Sequence, residues 1–478
     1  MKKNKILFVL WALCFFVIQT NAQTPLSFEE SLHLLNQGNQ SLKIADKGIE
    51  IAKAERDKLN AFWYPTLQST GAFVHMSEKI EVKQPLSQFT DPAKDFVHSI
   101  VPDDKFISSI LDNIGAHTLT FPLLERNLTT IDANVMWPLF TGGKRIFASR
   151  IGNRMVDLAK AGREEAGATL QSELVETYYA LRLAQRVVDV REQTFLGLQK
   201  HYRNAMKLEE NGMINKAERL FAQVTMDEAR RELESARKDL NVAQNALKVL
   251  LNVEDAISIN PSSPLFMNHD LPDELYFKNL VSTGSYIVSK LRIQEAMADN
   301  QLKISKSAYI PTIALFGKQT LYAENLPKNL MPRTLVGVGF TWNIFDGLNR
   351  EANIRQTRLT KQTLQLGREK AQNELGVLVD KLYSEIQNAK DDVAALNTTI
   401  EMSRELVRIR KKSFQEGMAT STDVIDAETM LSKVQIAFLL AYYKYDVALA
   451  SLLSTCGMPE SFWQYSRTGQ TENFIFGK

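Results

Sequence analysis

Cysteine is nearly missing: of 478 residues only Cys14 and Cys456 carry a thiol. Cys14 falls in what reads as a removable leader, so the mature chain has no partner for Cys456 and no intrachain disulfide. Proline (14) and glycine (22) are few for the length, which excludes collagen-like repeats and bulk disorder. A surplus of either charge is missing too. Removing Lys2, Lys3 and Lys5 with the leader takes the 57 basic residues to 54, against 55 acidic ones, and leaves no basic excess to hold nucleic acid. The six histidines, His33, His75, His98, His117, His201 and His269, show no pair at metal-ligand spacing. Thr141-Gly142-Gly143-Lys144 is no phosphate loop, because Arg145 stands where Ser or Thr is needed. Gly337-Val338-Gly339 lacks a third glycine, with Trp342 in its place. No residue is a candidate for catalysis, for a metal or for a cofactor. A long apolar run after residue 22 is not evident, so any membrane crossing by the mature chain is expected to use strands and not helices.

What is present begins with the leader. Residues 1–22 have a basic start, an apolar run from Ile6 to Ile18, and small residues at Thr20 and Ala22 before a cut at Gln23, the pattern of a secretory signal. The rival, a single anchor, needs about 20 apolar residues, more than this run supplies. A lipoprotein leader is disfavoured because Cys14 lies inside the run. At 478 residues, with 44% hydrophobic and 23% charged, the chain is too long for one ordinary domain and reads as several domains or one extended architecture.

An internal repeat organises the rest. Gly38-Asn39 recurs as Gly284-Ser285, and Tyr64-Pro65-Thr66-Leu67 as Ile310-Pro311-Thr312-Ile313, at a shift of 246 residues. Trp137, Phe140, Gly142 and Arg145 recur as Trp342, Phe345, Gly347 and Arg350, and Asn211-Gly212-Met213 as Glu416-Gly417-Met418, at a shift of 205. The shifts differ by 41 residues, an insertion in the first copy between Leu67 and Trp137. Boundaries follow: a first repeat at 23–252, a linker at 253–275, a second repeat at 276–455 and a C-terminal segment at 456–478.

Each repeat predicts one long helix. From Arg145 to Glu210 there is no proline, and apolar residues recur every three or four positions, as in Ile151, Met155, Leu158 and Leu170, Leu174, Tyr178, Leu181. At about 1.5 Å per residue the helix would span roughly 100 Å, the length of a coiled coil or helical assembly. Shorter helices are expected at 27–62, opened by a capping box Ser27-x-x-Glu30, and at 216–252; the second copy offers 276–308, 350–415 and 421–455. Strand-like alternation places Ile131, Ala133, Val135 and Trp137 on one face, and likewise Val336, Val338, Phe340 and Trp342, with less regular partners near 65–77 and 311–322. From alternation alone an ordinary half-buried sheet and a membrane barrel both remain open. Four strands cannot close a useful barrel, and open edges are not tolerated in hydrocarbon, so a barrel needs several chains; three would give 12 strands.

The doubled turns Trp137-Pro138-Leu139-Phe140-Thr141-Gly142-Gly143 and Trp342-Asn343-Ile344-Phe345-Asp346-Gly347, with Thr422-Asp423-Val424-Ile425-Asp426-Ala427 after a Gly-Met tip, resemble the outer membrane efflux protein family, the TolC-like exit ducts. The resemblance covers essentially the whole mature chain. It implies a mainly α fold with a β-barrel part, built of two tandem repeats of long coiled-coil-like helices and β-hairpins. It further implies a homotrimer with a 12-stranded barrel in the Gram-negative outer membrane, on a periplasmic α-helical barrel. The implied partners are a periplasmic adaptor, an inner-membrane pump of RND or ABC type, and outer-membrane lipid. The implied function is a passive exit duct for efflux. The alternatives are the duct of an ABC-type protein secretion system, a non-conducting stalk or adhesin, and a soluble periplasmic helical protein.

The resemblance also implies site residues. Asp423 and Asp426, at i and i+3 on one helix face, match the acids that ring the periplasmic mouth, and Glu218 takes the equivalent place in the first copy. The plain alternative is that such acids cap the helix start after Thr420-Ser421. Gly212-Met213 and Gly417-Met418 resemble tips that meet the adaptor, although a helix turn alone also asks for glycine. Ala419 stands where the family often has a gate arginine. Trp137 and Trp342 fit either an interface girdle or buried aromatic packing. The insertion at about 77–127, with Pro85, Pro92, Pro102 and Pro122, is expected as a long outward loop, either a lid or plain surface.

Overall fold

The computed structural model describes residues 24–101, 105–253, 259–325 and 332–472; the expected leader at 1–22 lies outside them. In chain order the first elements are β1 (Thr24–Leu26), α1 (Phe28–Gly38), α2 (Gln40–Asn60), β2 (Thr66–His75), β3 (Ile80–Pro85), α3 (Ser87–Ile100) and α4 (Lys105–Gly115). Next come β4 (Thr118–Leu124), β5 (Asn127–Phe140), α5 (Lys144–Glu210), α6 (Lys216–Leu251), β6 (Ile259–Pro261), β7 (Phe266–Met267), α7 (Glu274–Gly284) and α8 (Tyr286–Ser307). The last are β8 (Thr312–Glu324), β9 (Thr334–Thr341), α9 (Asn349–Gln415), α10 (Ser421–Thr455), α11 (Ser461–Thr468) and β10 (Gln470–Thr471). The chain is mainly helical and divides into two compact units, one of Met1–Ala54, Asn153–Met297 and Thr360–Lys478, the other of Glu55–Gly152 and Ala298–Leu359.

In the first unit the long helices form where the apolar spacing places them: α5 and α9 are each 67 residues. The shorter helices need a correction. The segment expected as one helix over 27–62 starts on its capping box, with Glu30 N–H donating to Ser27 Oγ at 3.2 Å, but breaks at Asn39. Asn39 is extended (φ −66°, ψ 129°); its amide donates to the Leu250 carbonyl at 3.2 Å and its oxygen accepts from Ser41 N–H at 2.8 Å. The helix expected over 276–308 breaks likewise at Ser285 (φ −61°, ψ 128°). The cause is a close crossing: a Cβ on Gly38 would sit 3.2 Å from the Leu251 carbonyl oxygen, and one on Gly284 would overlap that of Cys456. The Gly-Asn and Gly-Ser pairs therefore mark where one helix end passes under another.

A second correction concerns hydropathy. Helix α10 contains a stretch of mean hydropathy 1.4, long and apolar enough by length and composition to cross a membrane. Phe438, Leu439, Tyr442, Tyr445, Leu449, Leu452 and Leu453 are instead buried in the core, as expected of a helix that is apolar nearly all round. Beside them Phe28, Tyr178, Tyr179 and Phe462 pack ring against ring at 5.3–6.0 Å between centroids. Glu472, fully buried, is gripped by Arg182 at 2.9 Å and Arg186 at 3.3 Å, which ties the β10 end to α5, while β10 itself pairs with β7. Burial, with the charge of Glu472 adding to it, raises the carboxyl of fully buried Asp446 well above the usual range.

The second unit holds one antiparallel sheet of order β2-β5-β8-β9. Its register puts Leu67, Val135, Gly317 and Val336 in one row, and Trp137, Leu315 and Val338 in another on the same face. This apolar face is bare: Leu67 is 75% exposed and Phe340 74%. The opposite face is polar and internally bonded. Asn134 donates to Thr70 at 2.9 Å, and Asp132 takes a hydrogen bond from Thr320 at 2.7 Å and an ion pair from Lys318 at 2.9 Å. Strands β2 and β9 end the sheet and have no further strand beside them among the described residues.

The insertion is not a plain loop. Strands β3 and β4 pair as a ribbon, Val82 opposite Phe121, which prolongs the β2–β5 hairpin through Met76 N–H to the Arg126 carbonyl (2.7 Å) and the Lys79–Glu125 ion pair (2.7 Å). Helices α3 and α4 pack together at its far end. The prolines misled the sequence reading, since Pro85 closes β3 and Pro92 sits inside α3. The apolar residues at helical spacing decide the structure there.

Candidate functional site

The doubled strand-to-helix turns are built alike. Trp137 Nε1 donates to the Trp63 carbonyl at 3.0 Å, and Trp342 Nε1 to the Tyr309 carbonyl at 3.1 Å. Arg145 donates to the Leu139 carbonyl at 2.6 Å with its guanidinium 4.4 Å from the Trp63 ring centre. Arg350 donates to the Asn343 and Ile344 carbonyls at 2.8 Å each, 4.6 Å from the Tyr309 ring centre. In the single chain the indoles are exposed bodies with tethered N–H groups. Gly142 (φ 61°) and Gly347 (φ 70°) take the left-handed bend that starts the helix, while Phe140 and Phe345 stay exposed. The arginines were visible as repeated residues; their role was not, because a carbonyl clamp has no spacing signature.

The two tips are helix ends of one design. Met213 N–H donates to the Leu208 carbonyl and Gly212 N–H to that of Glu209; Met418 N–H donates to Ser413 and Gly417 N–H to Phe414. These are the paired bonds of a left-handed glycine stop, with φ 71° at Gly212 and 74° at Gly417. The turn explains the glycines and leaves the methionines unexplained: Met213 is 59% exposed and Met418 71%. Both tips come together within the first unit, lining with Glu218, Phe414 and Asp423 a cleft of about 270 Å³.

The acids divide. Asp423 closes a capping box, accepting from Thr420 N–H at 2.9 Å and Thr420 Oγ1 at 2.8 Å, and pairs with Arg410 at 3.3 Å. The Thr420 bonds, with Arg410 beside them, hold its carboxyl below the usual range. Asp426, one turn on, is exposed and has no partner among the described residues. Glu218 N–H is capped by Asn215 at 3.0 Å while its carboxylate is left free. Arg410 was missed, although the hairpin register could have found it: it lies seven residues before Gly417 and Asp423 six after. Among the described residues no group of His, Cys, Asp and Glu is placed to hold a metal ion.

His201 was also missed as a functional residue, having been read only as one of six scattered histidines. It is buried on α5, shares a 2.7 Å hydrogen bond with Ser421 Oγ at the start of α10, and lies 4.6 Å from the Phe414 ring. It couples the two hairpins just above their tips, among Leu198, Ala205, Met226, Val424 and Ile425. Burial first, then the nearby Lys411 charge, lowers its pKa to about 4.

The family model described as outer membrane efflux protein matches residues 125–253 and 287–458. The Brucella suis outer membrane efflux protein BepC is 23% identical over 295 residues, 59% of this chain and 62% of its own length. The Pseudomonas aeruginosa alkaline protease secretion protein AprF is 22% identical over 293 residues, 60% of each chain. The match therefore spans about three fifths of these relatives. The Vibrio cholerae outer membrane protein VceC shares the fold, with a TM-score of 0.71 at 15% identity over 90% of this chain and 96% of its own.

The His201 shift fixes a sign. With a folded pKa of about 4 against 6.5 for the free side chain, the unfolded chain takes the proton first. The stability it confers is whole above pH 6.5 and is lost as pH falls through the folded value, by roughly 3 kcal/mol in all. Thermal unfolding of His201→Gln, which keeps a side chain able to bond Ser421, should depend less on pH between about 7 and 4 than wild type does. Equal slopes would contradict this.

Proposed function

Since this chain belongs to the outer membrane efflux protein family and resides in the outer membrane of a Gram-negative envelope, we propose that three copies close one 12-stranded barrel and act as a passive exit duct. The observation that carries the reading is the sheet β2-β5-β8-β9, which has a bare apolar face, a bonded polar face and two open edges. In hydrocarbon such edges must be paired, and only further strands can pair them. Placed in a closed barrel, the apolar face meets lipid and the Asp132-Lys318-Thr320 face meets water.

The periplasmic mouth is formed in this reading by Glu218, Asp423 and Asp426 of three chains. Asp423 is partly neutralised by Arg410 and serves as a cap, so the uncompensated charge comes from Glu218 and Asp426. Six such carboxylates around one pore bind divalent cations. Bilayer recordings test this: wild type should conduct and be blocked by divalent cations, and Glu218→Gln with Asp426→Asn should relieve the block severalfold. Unchanged block would remove these acids from the gate.

Met213 and Met418 are apolar knobs that their own turns do not need, and we assign them to docking of a periplasmic adaptor, with an inner-membrane RND-type or ABC transporter supplying the energy. Likeness to BepC favours efflux, and likeness to AprF keeps protein secretion as the second reading. A photoreactive residue at either methionine, crosslinked in cells, separates them: capture of an adaptor with a proton-driven pump establishes efflux, and capture with an ABC exporter establishes secretion. Capture of neither argues against a duct.

A further inference from the structure

The insertion at 77–127 carries an apolar surface that the duct reading does not use. On α3, Phe89, Phe96 and Ile100 recur at i, i+7 and i+11 with Ala93 between them, one stripe of the helix; on α4, Phe106, Ile110 and Ile114 recur every four residues beside Ile107. Thr90 against Gly115 and the Lys94–Asp112 ion pair link the two helices, and much of the stripes' surface stays exposed, Phe96 by 67% and Phe106 by 75%. A continuous apolar surface of this kind on a segment directed away from the helical turns marks an interface.

Three occupants are conceivable, and the surroundings select one. An amphipathic helix that lies on an anionic lipid surface carries many Lys and Arg on its polar face. Here the two helices have Lys94 and Lys105 against Asp91, Asp95 and Asp112, and Lys94 is already engaged by Asp112. A foreign partner has no charge pattern to select it. A copy of this chain is delivered by connectivity: the ribbon β3–β4 prolongs β2, the edge strand that a neighbouring copy must pair in a barrel. The tether from His75 to Ile80 is four residues, braced by the Lys79–Glu125 pair, so each helical pair is held near the seam between chains.

We propose that the helical pairs α3–α4 of the assembled copies pack on one another through Phe89, Phe96, Ile100, Phe106 and Ile110, forming an apolar cap over the outer mouth. The inference rests on the trimeric barrel reading and adds to it an interface outside the membrane. An outer cap narrows the exit and places a second constriction in series with the acidic mouth.

The test is crosslinking of full-length protein in its membrane with a short thiol-reactive bifunctional reagent. Phe96→Cys and Phe106→Cys replace exposed side chains, and His98→Cys on the opposite face of α3 is the control. Linked dimers and trimers severalfold above the His98→Cys background at both apolar positions are expected. Cysteines placed across β2 and β9 report the barrel separately: linkage there without linkage at Phe96 and Phe106 overturns the cap and leaves the duct, and linkage at neither overturns both. A fluorophore at Phe96→Cys quenched by spin-labelled lipid would likewise overturn the cap, placing the helices on the membrane surface. Double replacement Phe96→Ser with Phe106→Ser should raise single-channel conductance; an unchanged conductance would contradict a constriction.

Discussion

The requirement that backbone amides be satisfied governs this chain. A four-stranded sheet leaves two rows of unpaired N–H and C=O groups on β2 and β9, tolerable in water and prohibitive in hydrocarbon. Its bare apolar face asks for lipid and its bonded polar face asks for water, so the environment that satisfies the side chains is the one that forbids open edges. Assembly removes the conflict. The clamps at the strand-to-helix turns belong to the same requirement, because Trp137, Arg145, Trp342 and Arg350 spend their donors on backbone carbonyls where the ladder stops and the helix has not begun.

In the helical unit the same accounting is met locally. Glycine stops at Gly212 and Gly417 satisfy the last carbonyls of α5 and α9, and caps at Asn215 and Thr420 satisfy the first amides of α6 and α10. What the local chemistry leaves over is informative. The side chains of Met213, Met418, Glu218 and Asp426 have no hydrogen-bond or ion-pair partner among the described residues, whereas Asp423 is committed twice, to Thr420 and to Arg410. Leftover groups are where a partner or an ion has something to gain.

Much of this was legible in the sequence, for a physical reason. A helix without proline and with apolar residues every three or four positions has few alternatives, so α5, α6, α9 and α10 stand within a residue or two of their expected ends. Strand alternation survived because one face is uniformly apolar. The breaks at Asn39 and Ser285 were not legible as breaks: their cause is a helix end more than two hundred residues away in the first case, and only the recurrence of Gly-Asn as Gly-Ser hinted at it. The insertion was misread because prolines were weighed above the spacing of Phe89, Phe96, Phe106 and Ile110. His201 and Arg410 were invisible as partners of Ser421 and Asp423, since two residues on different helices meet only once the register of the hairpins is known. The apolar run in α10 was overlooked because Lys444 and Asp446 interrupt it in its middle.

The central claim is that the edges of the sheet are closed by other copies. Ser69 on β2 lies in the same row as Thr334 on β9, with two strands between them, so within one chain the pair is about 14 Å apart, beyond the roughly 7 Å that a disulfide can span. The direct measurement combines Ser69→Cys with Thr334→Cys, Val336→Cys or Val338→Cys in turn, all on one face, and oxidises the membranes; Cys456 is buried and gives little background. The account predicts disulfide-linked dimers and trimers for at least one register. Monomer alone in every register, from protein that has reached the outer membrane, would contradict it.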